Sequence, residues 1–307
     1  PNGSGKSTIL DAILLGASVD TNRSIEIVKN RRQGDHNQDR WVIRRNRQNK
    51  AKILVYTNHI DKITNNQKWF NRVDISTNKE NGSLEFNFLH KNGPDLPEEV
   101  LEHLALEDRI PDESEYLPED VMISYDCKIK QKPLYELYSE IAKIGGRDFI
   151  NSLLGEIISN FNNIEILTEN NEKGFMPVVN VVFTGTLGSV PVSLAGDGIH
   201  ALVRMAMEIQ LSQGLALIEE PEAHQHPATI RQIAKAIFAS VRKENQVILT
   251  THSLELIDAL LDAATEPDDL DKLSVFMVKL DNGKLCSARI PGKNVEIERH
   301  QIGADLR

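Results

Sequence analysis

Cysteine is nearly absent: the 307 residues hold two, Cys127 and Cys286. Two thiols cannot build a disulfide framework, and these two lack metal-ligand spacing. The sequence therefore predicts free thiols in a reducing compartment, the cytoplasm. Long apolar runs are missing as well. The longest, such as AILLGA at 12–17, fall far short of the ~20 residues a membrane-spanning helix needs, so no membrane contact is expected. No basic stretch followed by an apolar core opens the chain, so no secretory signal is read. A basic excess is also lacking. Lys plus Arg number 35 against 45 Asp plus Glu, a formal net charge of −10. That excludes coating nucleic acid through bulk charge and leaves only a local basic patch for such contact. There are no internal repeats, no coiled-coil heptads and no low-complexity linker. An initiator Met is absent too: the chain begins inside a motif at Pro1, so the natural protein is expected to extend upstream, with a strand ending at this loop. Against these absences, 40% hydrophobic and 26% charged residues form an ordinary globular mixture, long enough to bury a sizeable core.

The first eight residues, Pro1-Asn2-Gly3-Ser4-Gly5-Lys6-Ser7-Thr8, supply the second half of the phosphate-binding pattern G-x-x-x-x-G-K-[ST]. Small residues let backbone N–H groups curl around phosphate oxygens. A helix expected over 6–17 aims its positive end at the same anion. Lys6 suits the β- and γ-phosphates of ATP, and the Ser7 hydroxyl suits Mg²⁺. The plain alternative is a glycine-rich turn before a helix.

Strands are expected at 24–28, 41–44, 51–56 and 83–88, separated by Asn, Gly and Asp turns, which together read as an antiparallel lobe. A helix between surface loops is expected within 94–118, and a strand at 121–125. Apolar residues at helical spacing over 133–161, broken at Gly145-Gly146, predict a helical hairpin. Strands follow at 164–167, 178–183 and 190–192. The remainder alternates: helix 198–212, strand 215–218, helix 227–242 with Pro227 at its start, strand 247–250, helix 254–261, then a hairpin of strands 275–280 and 285–290. Strand–helix alternation implies a parallel sheet.

Leu215–Ile218 runs into Glu219-Glu220-Pro221-Glu222. An apolar strand ending in carboxylates is what a P-loop ATPase needs at its second site. One acid serves the Mg²⁺ shell and the next orients or deprotonates the attacking water. Glu219 takes the metal role and Glu220 the water role. For Glu222 an acidic helix N-terminus is an equal reading. His252 follows the next strand and is placed to hydrogen-bond a γ-phosphate. Leu194-Ala195-Gly196-Asp197-Gly198 opens a helix whose N-terminus suits an anion; the alternative is a simple helix entry with Asp197 as N-cap.

In order, PNGSGKST at the start, SLAGDGIHALVRMAMEI at 193–209, LALIEEPEAHQHP at 215–227 and ILTTHS at 248–253 resemble the ABC-type ATPases of the RecF, SMC and OLD (overcoming lysogenization defect) group, grouped with AAA-family ATPases. The resemblance implies an α/β fold: a P-loop NTPase, ABC-ATPase-like head with a mainly parallel core sheet, an antiparallel β lobe over 20–92 and a helical insertion over 95–165. The signature, Walker B and switch-His core lies over 178–290, all within a single head. It implies a homodimer with two ATPs sandwiched between heads, each between one P-loop and the partner's signature. In that frame Asn2, Gly3, Ser4, Gly5, Lys6, Ser7 and Thr8 hold the nucleotide, and Leu194, Ala195, Gly196, Asp197 and Gly198 face the partner's γ-phosphate. Glu220 is the catalytic Glu, His252 the switch His, and Ser7 and Glu219 hold Mg²⁺. Relatives act on DNA ends, in repair or in defence against phage. Ala195 and Asp197 depart from the usual signature Ser and Gly, and Glu219 stands where Asp is commoner. Too few residues follow the last helix for the TOPRIM nuclease domain of OLD, so a separate nuclease or effector is expected as partner. Gln67 and Gln131 are both candidates for the glutamine loop.

A basic cluster at Arg31, Arg32, Arg40, Arg44, Arg45, Arg47, Lys50 and Lys52, with Trp41 interleaved, reads either as DNA-backbone contact or as a solvated hairpin face. His224 and His226 read as part of a loop facing the dimer partner rather than a metal pair. Two other functions compete with the ATPase head: the ATP-binding subunit of a transporter, and a nucleotide-gated scaffold that hardly turns over.

Overall fold

The computed structural model describes residues 6–17, 24–25, 27–28, 50–59, 67–77, 84–92, 120–124, 132–171, 174–185, 188–212, 215–281 and 284–306. The chain divides into two compact units. One comprises Pro1–Ser7, Val121–Tyr125 and Lys130–Arg307, the other Thr8–Asp120 and Asp126–Ile129.

The second unit takes up most of helix α1, Lys6–Ala17, whose bounds match the expectation. Leu10, Asp11, Leu14 and Leu15 are buried along it, the i, i+4 spacing of a helix with one covered face. Strands β1 (Lys50–His59), β2 (Gln67–Thr77) and β3 (Leu84–Asn92) form an antiparallel sheet in that order. The register runs Lys50↔Ser76 on one side of β2 and Trp69↔Asn92 on the other. The central strand β2 is absent from the sequence expectation. The strand expected at 24–28 is wrong: its described residues are helical, and Ser24, Ile27 and Val28 are buried. That i, i+3, i+4 spacing is helical, and tertiary burial outweighs the strand preference of Ile and Val. The strand expected at 41–44, the helix within 94–118, residues 2–5 and the arginines of the basic cluster lie outside the described residues.

In the first unit, strand β4 (Asp120–Ser124) neighbours β8 (Leu215–Glu219), which neighbours β9 (Gln246–Thr250). β8 and β9 are parallel, from Leu215↔Gln246 to Glu219↔Thr250. Leu215, Ala216, Leu217 and Ile218 are all buried, as a parallel strand covered on both faces requires. Helix α4 (Asp197–Leu211), α5 (Pro227–Val241) and α6 (Leu254–Ala263) supply the cover. Leu202, Met207, Ile209, Ile218, Ile233 and Leu256 join one core cluster, each such side chain contributing about 2 kcal/mol of burial.

The helical hairpin forms as expected: α2 (Leu134–Lys143) and α3 (Arg147–Gly155) turn at Gly145, whose φ of 72° suits glycine. It is pinned to β5 (Phe161–Asn171) twice. The Tyr138 hydroxyl donates to Ile164 O at 2.6 Å, and Asn151 Oδ1 accepts from Ile164 N at 3.1 Å. β5, β6 (Gly174–Phe183) and β7 (Ser189–Pro191) make an antiparallel sheet. Phe161 opens β5 rather than ending the hairpin, and Val192 leaves β7 for a short 3-10 turn. At the C-terminal side come α7 (Asp269–Lys272), the β10 (Ser274–Asp281) and β11 (Lys284–Pro291) hairpin, and α8 (Gly292–Glu296). They pack on a second small core of Ile257, Leu261, Val295 and Leu306. No helix among the described residues is long and apolar enough to cross a membrane.

Candidate functional site

Two strand ends and one helix start converge in the first unit. β8 ends at Glu219 and β9 at Thr250, side by side in register. The ladder extends one residue further, with Glu220 N donating to Thr250 O at 3.0 Å. There the chain turns sharply. Glu220 has φ 43° and His224 φ 60°, a left-handed conformation that costs a non-glycine residue about 1–3 kcal/mol. At Glu220 the strain is greater because Pro221 follows and pushes its predecessor toward extended backbone. Such strain persists only where surrounding contacts enforce it. Here the turn is held by Ala223 N to Glu220 O at 2.9 Å and Gln225 N to Glu222 O at 3.0 Å.

Lys6, the first residue of α1, meets these strand ends. Its ammonium donates to Thr251 O at 2.7 Å and lies 3.3 Å from His252 Nδ1. The other ring nitrogen, Nε2, is 3.4 Å from Glu220 Oε1. An ammonium can only donate, so Nδ1 accepts and the ring carries its proton on Nε2, facing the carboxylate. Burial pulls Lys6 below its ordinary pKa, against Glu220 and Glu222, whose charges push it up.

Glu222 is in the site, not at a helix N-terminus: it sits in the turn before α5. Its Oε1 accepts from Thr251 Oγ1 and, at 2.9 Å, from His252 N. The sequence left Glu222 between the acidic site and a helix N-terminus, and it did not single out Thr251. The available signal was the E-E-P-E spacing, which leaves Glu222 one turn beyond the strand end.

The signature segment lies in the same unit. Val192–Leu194 forms the 3-10 turn, Gly196 (φ 109°, ψ 146°) is the N-cap of α4, and no side chain caps it. Asp197 is therefore the first helical residue and not the cap, because the backbone at the cap adopts a conformation that favours glycine. A Cβ on Gly198 would lie 3.3 Å from Gln225 Oε1, so the helix start and the turn after β8 are in close contact. Leu194 is 75% exposed. Ser7 and Glu219 are each partly covered.

Residues 1–258 match the family model described as "AAA domain, putative AbiEii toxin, Type IV TA system". The chain belongs to this AAA family. Membership makes it an AAA-type ATP-binding domain of the P-loop class. Over 114 residues it is 36% identical to the uncharacterized protein MJECL11 of Methanocaldococcus jannaschii, covering 36% of this chain and 98% of that protein. Two solved structures share its fold. The SmcHead bound to the C-winged helix domain of ScpA aligns at TM-score 0.54 and 16% identity, over 95% of this chain and 88% of that one. The Smc head domain with an extended coiled coil, bound to the C-terminal domain of ScpA derived from Pyrococcus furiosus, aligns at TM-score 0.53 and 13% identity, over 99% and 92%. The expected P-loop ATPase head fold of the RecF/SMC-like group is thus the fold of this AAA chain.

The donor set suits the metal such a family uses. Mg²⁺ prefers hard oxygen ligands, takes one or two from protein and fills the rest with water and phosphate. The Ser7 hydroxyl and the Glu219 carboxylate are donors of that kind. Among the described residues no group of three or more His, Cys, Asp and Glu side chains is arranged so as to hold a metal ion.

Proposed function

We propose that this AAA chain is an ATP-hydrolysing head that works as an ATP-gated homodimer, acting in anti-phage defence or DNA repair. The observation that carries this reading is the contact chain Lys6–His252–Glu220. It joins the lysine of the phosphate-binding pattern, the acid after β8 and the histidine after β9; a lysine on the phosphates and an acid on the attacking water are two groups that phosphoryl transfer uses. Lys6 neutralises β- and γ-phosphate oxygens once ATP replaces Thr251 O as its partner. Glu220, whose Oε1 lies 3.4 Å from His252 Nε2, would orient water and take its proton. His252 has an Nε2 proton to offer a γ-phosphate oxygen. Asn2, Gly3, Ser4, Gly5 and Thr8 are assigned to the phosphates from the sequence pattern, and Ser7 and Glu219 would hold Mg²⁺, which would supply charge neutralisation on the phosphates. Leu194–Gly198 faces the partner's nucleotide, where the uncapped α4 N-terminus favours an anion. The family description, which names a toxin–antitoxin system, favours defence over repair. DNA contact through the 31–52 cluster and a separate nuclease or effector belong to the same proposal.

ATP affinity and phosphate release of the intact protein test this reading. Lys6→Ala should abolish ATP binding. A Lys6→Ala protein that binds ATP as tightly as wild type would overturn it.

A further inference from the structure

The loop after β9 carries both groups that Lys6 touches, Thr251 O and His252 Nδ1. Its backbone belongs to no helix or strand, so its polar groups need partners from elsewhere. Those partners trace back to one carboxylate. Glu222 Oε1 accepts from the Thr251 hydroxyl and from the His252 backbone N–H. The Thr251 hydroxyl oxygen in turn accepts from Ser253 N at 2.9 Å. Ser253 then caps α6, its Oγ accepting from Leu256 N at 3.2 Å. Three consecutive residues and the entry to a helix therefore hang on Glu222. Its other oxygen, Oε2, is buried with no hydrogen-bond partner among the described residues. Leaving that one oxygen buried and unpaired is costly.

We propose that Glu222 is a positioning residue for the ATPase reaction: by holding the Thr251–Ser253 loop, it sets the imidazole of His252 between Lys6 and Glu220. The proposal rests on the ATPase reading above. Glu222 makes no hydrogen bond to Lys6 or Glu220; beyond its charge acting on Lys6, it works through His252. Its place two residues after Glu220, across Pro221, ties the loop of one strand to the turn of the next. Displacement of the loop at either end then moves the histidine.

Two measurements on the intact protein decide it. The first compares kcat and KM for ATP in wild type, Glu222→Ala, Glu222→Gln, His252→Ala and the Glu222→Ala/His252→Ala double variant. Glu222→Ala should lower kcat about tenfold or more while KM changes less than about threefold. Glu222→Gln, whose amide oxygen can accept the same two bonds, should recover about fivefold of that loss. In the His252→Ala background Glu222→Ala should cost less than about twofold, because groups acting through one another are not additive. An equal loss in both backgrounds overturns the proposal. The second measurement is the ring-nitrogen NMR spectrum of ¹⁵N-histidine-labelled protein, with His252 assigned by its disappearance in His252→Ala. Its ring signals should move in Glu222→Ala; unmoved signals overturn the proposal. Should Glu222→Ala fail to fold, Thr251→Val, which deletes the bridging hydroxyl, takes its place in both measurements. Absence of turnover in wild type would sink the ATPase reading, and the NMR comparison alone would then decide whether Glu222 positions His252.

Discussion

Lys6 reaches Glu220 through the ring of His252, with Nδ1 3.3 Å from the ammonium and Nε2 3.4 Å from the carboxylate. The first residue of the first helix and the residue after the buried strand β8 are thereby joined by a group from the end of the neighbouring strand. The ammonium also holds Thr251 O at 2.7 Å, so any phosphate bound at Lys6 would have to compete with a backbone carbonyl and an imidazole for the same charge.

Glu220→Gln should bind ATP yet turn it over about 10²–10⁴-fold more slowly, the usual contribution of a positioned base. Dimers trapped by ATP should then appear in size-exclusion chromatography. Turnover at the wild-type rate would remove the assigned role.

Gly196→Ala should separate ATP binding from dimerisation. Gly196 sits at φ 109° and ψ 146°, where an alanine incurs about 1–3 kcal/mol of strain. Relaxing it tilts the start of α4. Light scattering with a non-hydrolysable ATP analogue should show monomers at nucleotide concentrations that saturate the protein.

Asp269→Ala should destabilise the first unit by about 3 kcal/mol, the lower end for breaking a buried pair because Arg242 is partly solvated. Asp269 is fully buried and accepts from the Arg242 guanidinium and from Glu266 N. Burial pushes its carboxyl up, but those bonds more than offset this and hold it below its ordinary value. A depressed folded pKa contributes stability above the unfolded carboxyl value, lost as pH falls through the folded one. Urea titrations should therefore show the gap between variant and wild type closing only in acid.

Glu208→Gln should raise the thermal midpoint at neutral pH. Burial pushes the Glu208 carboxyl above its ordinary value, and Arg204, bonded to it at 3.2 Å, pulls back only part of that. A raised folded pKa means stability present when the group is protonated and lost as pH rises through the folded value. The variant's advantage should vanish below the ordinary glutamate range. A gain that persists there would show that the charge is not the cause.

The helices α1, α4, α5 and α6 and the strands β8 and β9 were legible because each is bounded by a strong local signal. Pro227 starts α5, Ser253 caps α6, and an unbroken apolar run makes β8. Ser24–Val28 was misread because β-branched residues serve either periodicity, and only burial of Ser24, Ile27 and Val28 settles which. β2 was missed because its polar residues break the apolar run.

The residue types of the site were determined by sequence alone, since a P-loop lysine, acids at a strand end and a histidine after the next strand are chemical signatures that need no coordinates. Which groups touch was decided by the tertiary structure. The parallel register of β8 and β9 sets Glu219 beside Thr250, the strained turn at Glu220 swings Glu222 back onto Thr251 and His252, and the ammonium of Lys6 settles on the loop they hold. Side-chain chemistry is local and readable from the chain; distances between residues far apart in sequence arise only when burial and hydrogen bonding fix the backbone.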